Sequence, residues 1–219
     1  MIVSRSSDFI EPARQVADFL WFFPPNKTSN GGVSWWLDCF PEPVLIDCPD
    51  ITPGLLANLK KLARGRSSRI LLTNRDGHGK VSKLQEELGW PVLVQEQEAF
   101  LLPGLSGLEG FKEEAVTSSG LKLLWTPGPS PGSCVIHAPE PLNVLFCGRL
   151  LIPVATDRVS SIRNKRTFHW TFQQKSLTKM CKWLPPESFP SLASSCPLGS
   201  SSECTLYPWG AWNQYKEFC

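Results

Sequence analysis

Two periodicities share this chain. Val33-Ser34-Trp35-Trp36-Leu37-Asp38-Cys39 and Val44-Leu45-Ile46-Asp47-Cys48 are short apolar runs separated by Phe40-Pro41-Glu42-Pro43. They predict two strands joined by a tight turn. From Pro53 to Arg64 the spacing changes, and Leu55, Leu56, Leu59 and Leu62 recur at helical intervals. Thr52 is placed to cap this helix, Pro53 suits its first turn and Gly65 ends it. Arg69 to Thr73 predicts a strand. Lys80 to Leu88 predicts a helix with Val81, Leu84 and Leu88 on one face and Gly89 at its end. Pro91 to Val94 reads as a short buried strand and Glu96 to Leu102 as a brief helix. Further strands are expected at Leu121–Trp125, Ser133–His137 and Val144–Cys147, and a last helix at Gln173–Leu184. A hairpin followed by alternating strands and helices predicts an α/β domain, mixed sheets with helices on the outer faces. No fixed-period repeat is present.

Composition narrows the class. With 219 residues, 42% of them hydrophobic and 19% charged, the chain can build one domain with a real core. The core is expected over about 20–200, with 201–219 left as an unassigned tail. The formal net charge of +2 gives no electrostatic case for nucleic acid or an anionic membrane. No run approaches the length of a membrane span. The segment from Met1 to Lys27 has no apolar core with a small-residue cleavage site. It carries Asp8, Glu11 and Asp18, so it reads as neither a secretory signal nor a transit peptide. For an imported protein this implies a mature or truncated form.

Eight cysteines include no CxxC pair, and Cys134 and Cys147 lie inside apolar runs. Buried thiols acting as small hydrophobes, in a reducing compartment, are the expectation. Facing thiols at Cys39 and Cys48 are the alternative for that hairpin. Nine tryptophans imply either large aromatic packing or an exposed patch for a partner.

Four landmarks carry a family resemblance. Val44-Leu45-Ile46-Asp47 resembles a strand that ends in aspartate before a long helix. Leu71-Leu72-Thr73 leads into Asn74-Arg75-Asp76-Gly77-His78-Gly79-Lys80, where the family has Thr-His-x-His-x-Asp-His. Thr126-Pro127-Gly128-Pro129-Ser130-Pro131-Gly132-Ser133 is similar to Thr-Pro-Gly-His-Thr-Pro-Gly-Ser. Leu145-Phe146-Cys147-Gly148-Arg149-Leu150-Leu151 is similar to Leu-Phe-Thr-Gly-Asp-x-Leu. In this order and at these intervals they resemble the metallo-β-lactamase fold, which implies an αββα sandwich. Phe23-Pro24-Pro25-Asn26, Gln95-Glu96-Gln97-Glu98-Ala99 and Thr167-Phe168-His169-Trp170 resemble a degenerate cyanobacterial and plant branch, which implies a chloroplast location.

The resemblance implies a metal site that this chain does not furnish. Catalytic relatives bind zinc or iron through imidazoles and carboxylates. The corresponding positions here are Asn74, Asp76, Gly79, Pro129, Arg149 and Leu198, with His78 out of register. Pro129 and Leu198 have no donor, and Arg149 puts a permanent positive charge where a dication would sit. No catalytic residue and no metal or other cofactor is therefore assigned. Asn74, Arg75, Asp76, His78, Lys80, Pro129 and Arg149 are expected to line the corresponding site. Arg75, Lys80 and Arg149, joined by Arg163, Lys165 and Arg166, form either an anion receptor or a solvated basic loop.

Asp76 is also placed to cap the helix that follows it, His169 to plug an aromatic cluster, and His137 to pack within its strand. Arg149 should find an acidic partner, Asp76 first and Asp47 second. Two functions stay open. One is a non-catalytic binding or scaffold protein for a protein partner or a small anionic ligand. The other is a hydroxyacylglutathione-hydrolase-like enzyme with an atypical zinc site that uses Asp76 and His78.

Overall fold

The computed structural model describes residues 13–199 and 205–219. The acidic residues Asp8 and Glu11, on which part of the N-terminal reading rests, lie outside it. The first half forms one sheet from strands β1 (Arg14–Ala17), β2 (Leu20–Asn26), β3 (Gly32–Leu37), β4 (Val44–Ile46), β5 (Arg69–Leu71), β6 (Val92–Gln95) and β7 (Leu108–Phe111). They lie side by side in chain order, antiparallel from β1 to β4 and parallel from β4 to β7. Parallel neighbours need crossovers, and two of these are helices, α1 (Pro53–Ala63) and α2 (Val81–Leu88).

The second half continues with β8 (Glu114–Val116), β9 (Lys122–Trp125), β10 (Cys134–Ala138) and β11 (Val144–Gly148). A ribbon, β12 (Ile152–Ala155) with β13 (Arg158–Ser160), and then β14 (Ser191–Ser194) follow. The second sheet runs β14-β11-β10-β9-β8, and only the β11–β14 pair is parallel.

Side-chain alternation makes the layers. Val33, Trp35, Ile46 and Leu71 from the first sheet meet Leu123, Ile136, Phe146 and Ala193 from the second in one buried cluster. Their neighbours Trp36, Leu45 and Ile70 face the other way, onto Leu55, Leu59 and Leu84 of α1 and α2. Leu145 and Cys147 likewise turn away from the centre, onto Leu177 and Met180 of the helix α4 (Trp170–Trp183). Because the period along a strand is two, a one-residue slip in β3 or β11 would exchange these faces. Each fully buried large apolar side chain contributes about 1.5–3 kcal/mol. The result is an α/β sandwich with two sheets inside and helices outside.

Some local expectations hold and others change. Thr52 caps α1, its Oγ1 accepting from the Leu55 amide at 3.2 Å. The left-handed residue that ends this helix is Arg64 (φ 53°), one position before Gly65. The helix at Glu96 spans only Glu96–Ala99 (α3), and the last long helix starts at Trp170 rather than Gln173. Strands β1 and β2 were not legible from the pattern, because Pro24 and Pro25 interrupt the aromatic run of β2.

The C-terminal segment packs, in contrast to an unassigned tail. Tyr207, Trp209 and Trp212 are buried against the second sheet's outer face, and Tyr207 pairs with Leu192. Cys181 and Cys219 form a disulfide, with Cα atoms 5.2 Å apart, that ties α4 to the chain end. This corrects the all-thiol expectation for those two cysteines. Cys39 and Cys48 do not face each other. The Cys39 thiol donates to the Glu42 carbonyl at 3.1 Å, whereas Cys48 is buried beneath α1 and α2.

Candidate functional site

The site stands where the ends of the two sheets meet, and Asp47 builds its floor. This residue follows β4 in a left-handed conformation, φ 59°. Its Oδ1 accepts from the Thr73 amide at 2.8 Å, and its Oδ2 accepts from the Thr73 hydroxyl at 2.7 Å and the Ser195 hydroxyl at 2.6 Å. One carboxylate thereby joins the end of β4, the loop after β5 and the end of β14. Burial pushes its carboxyl above the usual range, and the hydroxyls of Ser195 and Thr73 with the Thr73 amide oppose that.

The motif loop is a single turn of 3-10 helix, Arg75–His78. Asn74 caps it, its Oδ1 accepting from the Asp76 amide at 3.0 Å while its Nδ2 donates to the Thr73 hydroxyl at 2.8 Å. Both ends of this amide are thus used inside the loop. Asp76 does not cap the following helix; α2 starts at Val81, and Lys80 at its N-cap position makes no side-chain cap. The Asp76 carboxylate instead receives two guanidiniums. Arg149 Nε lies 3.1 Å from Oδ2. Arg166 donates Nε to Oδ2 at 3.2 Å and Nη2 to Oδ1. Asn30 adds Nδ2 to Oδ1 at 3.0 Å. Arg149 also donates Nη2 to the carbonyls of Ser29 (3.2 Å) and Asn30 (3.1 Å). Gly148 lets Arg149 approach: its φ is +53°, and a Cβ there would meet the Thr73 hydroxyl at 3.0 Å.

A second buried knot lies behind the loop. His78 Nε2 is 3.2 Å from Oε2 of Glu98 but off the line of a good hydrogen bond. Glu98 is fully buried, and its other oxygen accepts from the Gly132 amide at 2.9 Å and from the Ser130 hydroxyl. Ser130 and Ser133 hydroxyls lie 2.8 Å apart. His78 is therefore part of a buried polar contact with α3 and the loop before β10.

The expected site residues divide. Asp76, Pro129, Arg149 and Arg166 line one cavity of about 30 Å³, with Ile152 and Gln173. Asn74 is buried beneath them. Arg75 is exposed and donates to the Arg166 carbonyl at 2.8 Å. Lys80, Arg163 and Lys165 are exposed and do not line the cavity, so Arg166 alone joins Arg149 there and the broader basic convergence does not occur. Leu198 is half-buried. Burial raises the Cys196 thiol above its ordinary range, and the nearby Arg149 charge pulls it back down. His169 is exposed. It caps α4 through Nδ1 and stacks on Phe172, so it plugs no cluster. His137 is packed, with Nε2 3.1 Å from Asn143 Oδ1. Asn30, Glu98 and Gln173 were missed, because isolated polar residues in turns or helix starts carry no periodic signal.

This donor set does not fit zinc or iron. Both Asp76 oxygens serve cations, both ends of the Asn74 amide are spent, and Arg149 brings its own charge to the centre. Among the described residues, no three or more His, Cys, Asp or Glu side chains gather as a metal would require.

No protein-family model and no curated protein sequence matches the chain. Solved structures do. A metallo-β-lactamase called BLEG-1, of class B3, is 21% identical with TM-score 0.61, over 88% of this chain and 95% of its own. TTHA1623, solved in a di-iron-bound form, is 26% identical with TM-score 0.59, over 83% and 91%. The metallo-β-lactamase from Pontibacter korlensis is 16% identical with TM-score 0.65, over 84% and 89%. These likenesses run nearly end to end and agree with the two sheets and outer helices described above, so the chain is a metallo-β-lactamase-fold protein.

Proposed function

We propose that this is a non-catalytic member of its fold, in which an ionic crosslink takes the place of a metal centre and which acts as a binding or scaffold protein. The observation that carries the reading is the Asp76–Arg149 pair, 3.1 Å apart. It spans the two halves of the sandwich at positions that the family resemblance aligns with metal ligands. A metal-activated water needs an open Lewis acid held by about three protein donors. Here Asp76, the one carboxylate among the described residues that line the cavity, neutralises guanidiniums. The partner is a protein or a small anionic ligand. Resemblance to the cyanobacterial and plant branch is the reason to look for it in the chloroplast, which targeting of a fluorescent fusion would test.

Elemental analysis of the purified protein tests the central reading. Zinc and iron are expected well below one per chain after dialysis, and a chelator is expected to leave the melting temperature unchanged, since no metal-binding energy is coupled to folding. Near-equimolar metal that survives dialysis would sink the proposal.

A further inference from the structure

The ionic cluster does not balance its own charge. Asp76 supplies one negative charge, and Arg149 and Arg166 supply two positive ones, at a single cavity. The Arg149 side chain is only 19% exposed. A cation held partly out of water favours a counter-ion, and a guanidinium offers five N–H donors in a planar fork that suits oxyanions.

A second observation is independent of charge. Gln173 lines the same cavity and is 2% exposed. Its Nε2 donates to the Ser161 hydroxyl at 2.8 Å, which fixes the amide. Its Oε1 is buried with no hydrogen-bond partner among the described residues. A buried acceptor left unpaired is costly, so a ligand here gains by supplying a donor.

Water would supply a donor without the charge, and sulfate the charge without a donor. We infer that the cavity between Asp76, Arg149, Arg166 and Gln173 binds a small oxyanion that retains a proton, such as hydrogen phosphate or bicarbonate. Arg149 and Arg166 neutralise it, and Gln173 Oε1 accepts its O–H. This inference rests on the metal-free reading above, because a bound metal would itself capture phosphate.

The test is calorimetric titration of the full chain with inorganic phosphate and with sulfate at matched ionic strength, on samples whose metal content has been measured. Phosphate is expected to bind about tenfold more tightly than sulfate, the worth of one hydrogen bond to a charged ligand. Gln173→Met should bring the ratio to about one. Arg166→Gln, at a half-exposed position, should weaken both anions alike while keeping the preference for phosphate. Equal binding of the two anions by the unaltered protein, or a preference that survives Gln173→Met, would overturn the inference. A metal-free sample with no phosphate preference removes this inference alone. Phosphate binding that vanishes with a chelator removes the metal-free reading as well.

Discussion

Arg149 Nε stands 3.1 Å from Asp76 Oδ2, which joins the turn after β11 to the loop after β5. Each residue is anchored from its own side. Asp76 is held by the Asn74 cap, and Arg149 by the carbonyls of Ser29 and Asn30. The pair therefore works as a crosslink between the two halves and differs from a surface ion pair, which is worth little.

Breaking it has an asymmetric outcome. Arg149→Met should destabilise the protein by about 2 kcal/mol, below the range for a fully buried pair because Arg166 still neutralises Asp76. Asp76→Leu should be worse, since it leaves two guanidiniums unpaired. The double variant should recover part of the loss. Urea denaturation of all four proteins measures the coupling, and strictly additive losses would show that the pair is not a crosslink.

Glu98 is expected to matter more than its place in a short helix implies. Its removal in Glu98→Ala leaves the Ser130 hydroxyl, the Gly132 amide and His78 without their partner. A loss of about 3 kcal/mol is expected. Glu98→Gln keeps a carbonyl acceptor and should lose less than half of that. Equal losses would assign the effect to the carboxylate charge and overturn the idea that an acceptor at this position carries it.

Two glycines predict opposite outcomes. A Cβ on Gly77 would sit 2.1 Å from Asp47 Oδ1, so Gly77→Ala must push the Asp47 carboxylate off Thr73 and Ser195. Several kcal/mol of stability should go with it. Gly54 lies in α1 with nothing near its Cβ position. Gly54→Ala should raise stability by about 0.5–1 kcal/mol through helix propensity. Thermal melts that rank the two the other way would contradict the loop geometry.

His137 gives a pH test. Burial lowers its pKa from the ordinary 6.5, and its bond to Asn143 only partly opposes this. The folded chain thus binds fewer protons here than the unfolded chain. Its contribution is fully present above 6.5 and is lost as pH falls below that value. His137→Gln keeps a polar group for Asn143 and cannot be protonated. The difference in stability between wild type and variant should shift against the wild type as pH drops through this window. Parallel denaturation curves at every pH would show that His137 does not titrate differently on folding.

The layers are legible in the order of apolar and polar residues. Apolar alternation in Val33–Leu37 and Val44–Ile46, and helical spacing in Leu55–Leu62, are local signals that follow from the pitch of strand and helix. The ordered landmarks were enough to expect the αββα sandwich. The absence of donors at Pro129 and Leu198 could also be read directly, since neither side chain has a ligating atom. Pairing between distant side chains is set by the folded chain instead. Asp76 had a local use as a helix cap and a distant one with Arg149, and nothing in the local pattern ranks them. The two guanidiniums prevail because a charge taken out of water is stabilised most by an opposite charge brought beside it, and that depends on which loops the sheets bring together. The same reason hid Glu98 and Gln173, whose partners Ser130, Gly132 and Ser161 are distant in sequence and adjacent only in the folded chain.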